Sequence, residues 1–245
     1  MNKIEEALNG LLKKYDVQPD KALNLLPGWE FIGKKIQNGD VPLLTWRSNR
    51  KFTELKKIVS ARVIENVCML RFSCFGSSDT WSFEALLYRE FDLCEFLSGG
   101  RIMSLHATIT AGQAGNVIVR LDNGIIGSVE VGTQLPSGHK MVDRHEIIAR
   151  RGVASDIVVD TQVPQSSIYS YTDQGLETYK DVDNELFGFD ELEVEHIRSA
   201  FEVMKNPEIT QELIRQHNHL TNLVKTALES DSQNRKVEIK AVEHY

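Results

Sequence analysis

The first apolar stripe along the chain is helical. Ile4, Leu8, Leu11 and Leu12 recur at three- and four-residue intervals within residues 1–15, which predicts an amphipathic helix with Gly10 as its weak point. Tyr15 to Asp20 breaks the pattern and reads as a loop. Pro27 to Gln37 predicts a short helix, because Pro27 suits a first turn and Asn38-Gly39 an end. Val41 to Trp46 is predicted extended. Thr53 is placed as the cap of a helix running to Ser60, with Leu55, Ile58 and Val59 inward. Cys68 to Phe75 alternates, with Cys68, Leu70 and Phe72 set against Met69, Arg71 and Ser73, which is the period of a strand.

Leu86, Leu87, Phe91, Cys94 and Leu97 predict a helix over Phe83 to Leu97, stopped by Gly99-Gly100. The period then changes to two. Arg101 to Thr110, Asn116 to Leu121, Ile125 to Gly132 and Glu146 to Arg150 read as strands, with a hairpin turn at Asp122-Asn123-Gly124. Ser166 to Tyr171 adds a fifth strand. Helices follow over Glu191 to Lys205 and Glu208 to Glu229, and Lys236 to Ala241 reads as an edge strand. Helices with an antiparallel meander and no repeated βαβ unit predict an α+β fold, an open and mostly antiparallel sheet with helices on one face.

Composition narrows the classes. The 245 residues are 41% hydrophobic and 26% charged, enough apolar material for a packed core. A net charge of −7 argues against nucleic acid as a partner. Cys68, Cys74 and Cys94 have no zinc spacing and read as reduced thiols. No apolar run approaches a membrane span, so no membrane partner is expected and the cytoplasm is the expected compartment.

Two segments carry a resemblance. One runs from Phe91-Asp92-Leu93-Cys94 through Ser98-Gly99-Gly100 into Ile102 to Thr110. The other runs from Val117-Ile118-Val119-Arg120-Leu121 through Gly127-Ser128-Val129-Glu130 to Glu146 to Gly152. Upstream, Gly39 to Trp46, Asn49-Arg50 and Leu55-Lys56 continue the series, and Glu229 to Val237 closes it. Together they resemble the glucose–fructose oxidoreductase / inositol dehydrogenase / rhizopine-catabolism (Gfo/Idh/MocA) family. The resemblance implies a dihydrodipicolinate-reductase-like C-terminal α+β domain over residues 46–245. Residues 1–45 would be a helical segment and the end of a cofactor domain.

Working members pair that domain with a Rossmann half, whose glycine-rich turn lets backbone approach a pyrophosphate. This sequence contains no Gly-x-Gly, and no cofactor is expected on this chain. Members also carry an Asp and a His in D-x-x-x-H spacing, on one helix face, and a Glu-Lys-Pro lysine. Counted back from Asp92, the His position falls on Arg89 and the Asp position on Ala85; Asp20-Lys21-Ala22 resembles an altered Glu-Lys-Pro. Arginine is no base near neutral pH. The expectation is a catalytically incomplete protein acting through assembly or ligand binding. The alternatives are a substrate-domain subunit of a split NAD(P)-dependent sugar oxidoreductase, with a separate Rossmann subunit, and a sugar or sugar-acid binding module.

Lys21, Glu84, Arg89 and Asp92 are the candidate pocket residues. For Arg89 an ion pair with Glu84, Glu90 or Asp92 is favoured over ligand binding, and for Lys21 a plain loop charge is favoured. His217 and His219 lie two apart and point to different helix faces; His139 and His145 are placed beside a loop without a third ligand. Glu191, Glu193 and Glu195 read as a solvated helix start. A homo-oligomer is expected through the mixed sheet face, whose candidate residues are Ser104, His106, Thr108, Ile118, Arg120, Ser128 and Glu130.

Overall fold

The computed structural model describes residues 3–20, 22–156, 167–172, 175–180, 186 and 188–239. Helix α1 (Lys3–Lys14) is followed by a short parallel pair, β1 (Asn24–Pro27) and β2 (Asp40–Leu43). Between them Pro27 introduces only a 3-10 turn, Gly28–Phe31, rather than the helix expected to Gln37. A second 3-10 turn, Thr45–Ser48, leads to α2 (Arg50–Ser60). Its cap is Asn49, whose side chain accepts from the Lys51 amide, and not Thr53, whose hydroxyl donates back to the Arg50 carbonyl. Then come β3 (Glu65–Ser77), α3 (Phe83–Ser98), β4 (Ile102–Thr110), β5 (Ala114–Leu121), β6 (Ile126–Leu135) and β7 (Val142–Ser155).

Strands β8 (Ser167–Thr172) and β9 (Gly175–Lys180) form a hairpin, of which the sequence pattern predicted only the first strand. Helices α4 (Glu191–Lys205) and α5 (Thr210–Gln233) precede a two-residue strand, β10 (Val237–Glu238). The rest of the edge strand expected to Ala241 lies partly outside the described residues.

Eight strands form one sheet in the order β10-β4-β5-β6-β3-β7-β8-β9. Every pairing is antiparallel except β3 with β6, where α3 carries the chain back across. Leu70, Phe72, Val117, Val119, Val129 and Ile147 point from the sheet into the main core, against α2, α3 and α5. A smaller core joins Val41 and Leu43 of β2 to Ala200 and Val203 of α4, with Leu8 of α1 beside them.

Two bulges interrupt the alternation of the strands. One between Val67 and Met69 leaves Cys68 exposed instead of inward. Another between Ile102 and Ser104 sends Met103 outward, 41% exposed, and puts Ile102 into the core. No helix among the described residues is long and apolar enough to cross a membrane.

Candidate functional site

Helix α3 decides where the chemistry lies. Ser82 caps it by accepting from the Ala85 amide, and Gly99 ends it in the left-handed conformation at φ 70°. The helix runs between the sheet and α2 and α5, so even its charged residues Arg89, Glu90, Asp92 and Glu95 are buried. A buried charge is stable only when paired, and each of these is.

Arg89 and Glu90 enter one cluster. The Arg89 guanidinium donates to Glu90 and to Asp143 of β7, with Cys74 Sγ at 3.6 Å. The second oxygen of Glu90 meets His145 Nε2 at 3.0 Å, and His145 Nδ1 lies 2.6 Å from Asp156. Lys51 of α2 donates to both oxygens of Asp143 at 2.9 and 3.0 Å. Asn49 donates to Glu195 and to Glu191, both at 2.7 Å, tying α4 into the same cluster.

The electrostatics follow from burial set against partners. Burial alone would neutralise His145, but Asp156 and Glu90 outweigh it and hold the imidazolium up to a pKa of about 9. Burial opposes the charge on Asp143 too, and Lys51 and Arg89 hold that carboxyl well below its usual range. Glu90 is likewise held low by His145 and Arg89 against its burial. Glu195 goes the other way: burial pushes it up to about 7, so it is not the solvated carboxylate its sequence neighbours suggest.

Asp92 and Glu95 enter a second cluster. Asp92 accepts from Trp46 Nε1 at 2.7 Å, from Arg47 Nε at 2.8 Å and from Gln216 at 3.2 Å. Glu95 accepts from Arg101, from the Ile102 amide and from His219. The 3-10 turn Thr45–Ser48, the first residues of β4 and helix α5 are thereby fastened to α3.

The three pocket candidates among the described residues, Glu84, Arg89 and Asp92, are not brought together. Lys21 lies outside the described residues. Glu84 is half-buried in the first turn of α3. Arg89 and Asp92 belong to the two separate clusters, each fully engaged. Of the proposed Arg89 partners the structure uses Glu90, with Asp143 as the partner from the sheet.

His145 lies inside β7 rather than beside a loop, and it is fully buried. Ligand atoms of Asp143, His145 and Asp156 lie within 4.8 Å of one another, which is metal-site spacing. The residues do not fit a metal, however. The Lys51 ammonium occupies the cation's place, 2.9 Å from Asp143 and 3.9 Å from Asp156, and both imidazole nitrogens are taken by carboxylates. The turn after β1 does not fit a dinucleotide either. The β1 strand runs into a four-residue 3-10 turn whose Gly28 is closed off by the Tyr88 hydroxyl, so no helix N-terminus follows β1 to receive a pyrophosphate.

Sequence reasoning missed Lys51, Asp143 and Asp156, and it named Glu90 only as a partner of Arg89 and His145 only as a residue beside a loop. The signal was present in β7. Asp143, His145 and Ile147 share one face by period two, and polar residues on the inward face of a strand mark a buried network.

Neither a protein-family profile nor a curated protein sequence matches the chain. Solved structures do match. An inositol dehydrogenase homologue from Azotobacter vinelandii, complexed with NADH and myo-inositol, superposes with a TM-score of 0.63 at 10% identity, over 82% of this chain and 64% of that one. An oxidoreductase from Agrobacterium radiobacter, in complex with NAD+, L-tartaric acid and magnesium, gives 0.64 at 14% identity, over 81% and 64%. The transcriptional regulator Gal80p from Kluyveromyces lactis gives 0.65 at 12% identity, over 83% and 63%. At such identities the likeness speaks to fold. This chain has the fold of Gfo/Idh/MocA-type oxidoreductases, and it spans about 64% of the length of the chains it matches.

Proposed function

We propose that this chain is a non-catalytic member of the Gfo/Idh/MocA group that works through assembly. The observation that carries the reading is Arg89. It stands where the resemblance puts the catalytic histidine, it is 2% exposed, and its guanidinium is engaged by Glu90 and Asp143. It remains protonated, with a pKa raised by those carboxylates in spite of burial, so it takes no proton from a substrate hydroxyl. Ala85, at the position of the family's aspartate, has no carboxyl to offer.

The fold itself is compatible with such a role, since one of the superposing proteins is named as a transcriptional regulator. Residues 1–45 are read as a helical segment with the end of a cofactor domain, and residues 46–245 as the α+β domain.

The surface offered for assembly is the sheet face away from α2, α3 and α5. His106, Thr108, Ile118, Arg120 and Glu130 are exposed there, and Ser128 is half-buried. Ser104 is only 2% exposed, between its strand neighbours Arg120 and Glu238. The register adds residues that the sequence did not single out. Ile126 pairs with Met69, and Met69 with Ile148, so an apolar row crosses three strands beside Ile118. Such a row with a polar surround is the composition of an interface core and rim.

The test of the catalytic half is an absorbance assay for NADH with the purified chain, NAD+ and a panel of polyols. No turnover above the uncatalysed rate is expected. Turnover abolished by Arg89→Ala would overturn the reading.

A further inference from the structure

A cleft unrelated to Arg89 and to the open sheet face lies between the loop at Gly33–Lys35 and helix α5. It encloses about 460 Å3. Lys34, Lys35 and Lys225 line it together with Asn218, Asn222 and Thr221. No Asp or Glu among the described residues lines it, in a chain whose net charge is −7. None of the three lysines has an ion-pair partner among the described residues, unlike the cations of the α3 clusters. Three cations that repel one another across a cleft without a carboxylate leave a place for an anion.

A second observation points into the same cleft. His217 lines it, yet the residue is only 2% exposed. Its Nδ1 lies 3.0 Å from the Tyr88 hydroxyl at the buried end of the ring. Tyr88 Oη is itself wedged against Gly28, where any Cβ would overlap it. A neutral imidazole carries one N–H and the phenol one O–H. When Tyr88 donates to Nδ1, the ring proton sits on Nε2. Nε2 faces Thr221 Oγ1 at 3.5 Å, too long for a strong bond. Burial pushes the His217 pKa down to about 4, so the ring stays neutral, and in that tautomer its Nε2–H is left as a donor. The buried His217 ring and three exposed lysines line the same space.

We propose that this cleft binds a small organic phosphate monoester, with its phosphate among Lys34, Lys35, Lys225 and His217 and its polar body against Asn218 and Asn222. The volume lies within the range of small-molecule sites, and a lone phosphate would fill only part of it. Phosphate oxygens accept from lysine as a point charge and from a neutral imidazole N–H as a directed bond.

The experiment follows the His217 ring nitrogens by NMR while inorganic phosphate, glucose 6-phosphate and glucose are titrated in turn at low salt, with calorimetry in parallel. Both phosphates should shift His217 Nε2, the sugar phosphate at lower concentration, and glucose should do nothing. Lys225→Gln and Lys35→Gln lie on the surface and leave the core untouched. Each should weaken the sugar phosphate about ten-fold, the loss of one charge-assisted bond, and salt should weaken it further. His217 resonances unmoved by either phosphate would overturn the site, as would an equal response to glucose or lysine variants that bind as the wild type does. Inorganic phosphate binding as tightly as the sugar phosphate would overturn the organic ligand.

Discussion

At the scale of single residues, the buried charges of α3 set the behaviour. His145 is charged in the folded state with a pKa of about 9, against 6.5 when unfolded. The folded protein therefore holds this proton more tightly. The stabilisation is fully present below the unfolded value and is lost as pH rises through about 9. The difference corresponds to roughly 3 kcal/mol. Glu195, raised to about 7, adds a loss of the same sign between its ordinary range and neutrality. Denaturant titrations at a series of pH values should show stability falling between about pH 7 and 9, and His145→Gln should flatten that fall. A slope that survives in the variant would remove His145 as its source. Arg89→Ala leaves Glu90 and Asp143 buried with fewer partners, and should cost about 3–5 kcal/mol. Removal of the exposed Arg71–Glu146 pair by Arg71→Ala should cost under about 1 kcal/mol, and the same titrations compare the two.

At the scale of elements, caps and close contacts decide stability and legibility together. Asp190 and Glu193 form a reciprocal capping box at the start of α4, so Asp190→Ala should lower the melting temperature by the equivalent of about 1 kcal/mol. Gly127 lies in β6 where a Cβ would come within 2.7 Å of Val119 Cγ2, and Gly127→Ala should cost roughly 1–3 kcal/mol by overpacking. The strands β5 and β6 were readable because burial of one face imposes a period of two, and α3 because its large apolar residues recur at helical spacing between the Ser82 cap and Gly99. The turn at Asp122-Asn123-Gly124 was readable because Gly124 needs φ 84°. The cap of α2 was not, since Asn49 and Thr53 both have cap chemistry and only the fold chooses between them. The bulges that turn out Cys68 and Met103 come from strand pairing over long separations, which local alternation does not contain. The same holds for His145, whose partners Glu90 and Asp156 lie 55 and 11 residues away.

At the scale of the whole molecule, the helices cover one side of an eight-stranded sheet, and the described residues leave the other side open. Ile118 and Ile126, 45% and 44% exposed, lie near its middle beside Met69. A partner copy laid on that face would bury these residues and place Arg120 and Glu130 where charge must be matched. A stable interface of this kind would bury on the order of 1,200–2,000 Å2. The most direct test is the solution mass by light scattering of the wild type and of Ile126→Glu, which puts a carboxylate into the apolar row, opposite Arg120, without touching the core. The account predicts at least twice the chain mass for the wild type and a shift to monomer in the variant, with the far-UV spectrum unchanged. A monomeric wild type, or an oligomer that Ile126→Glu leaves intact, would contradict it.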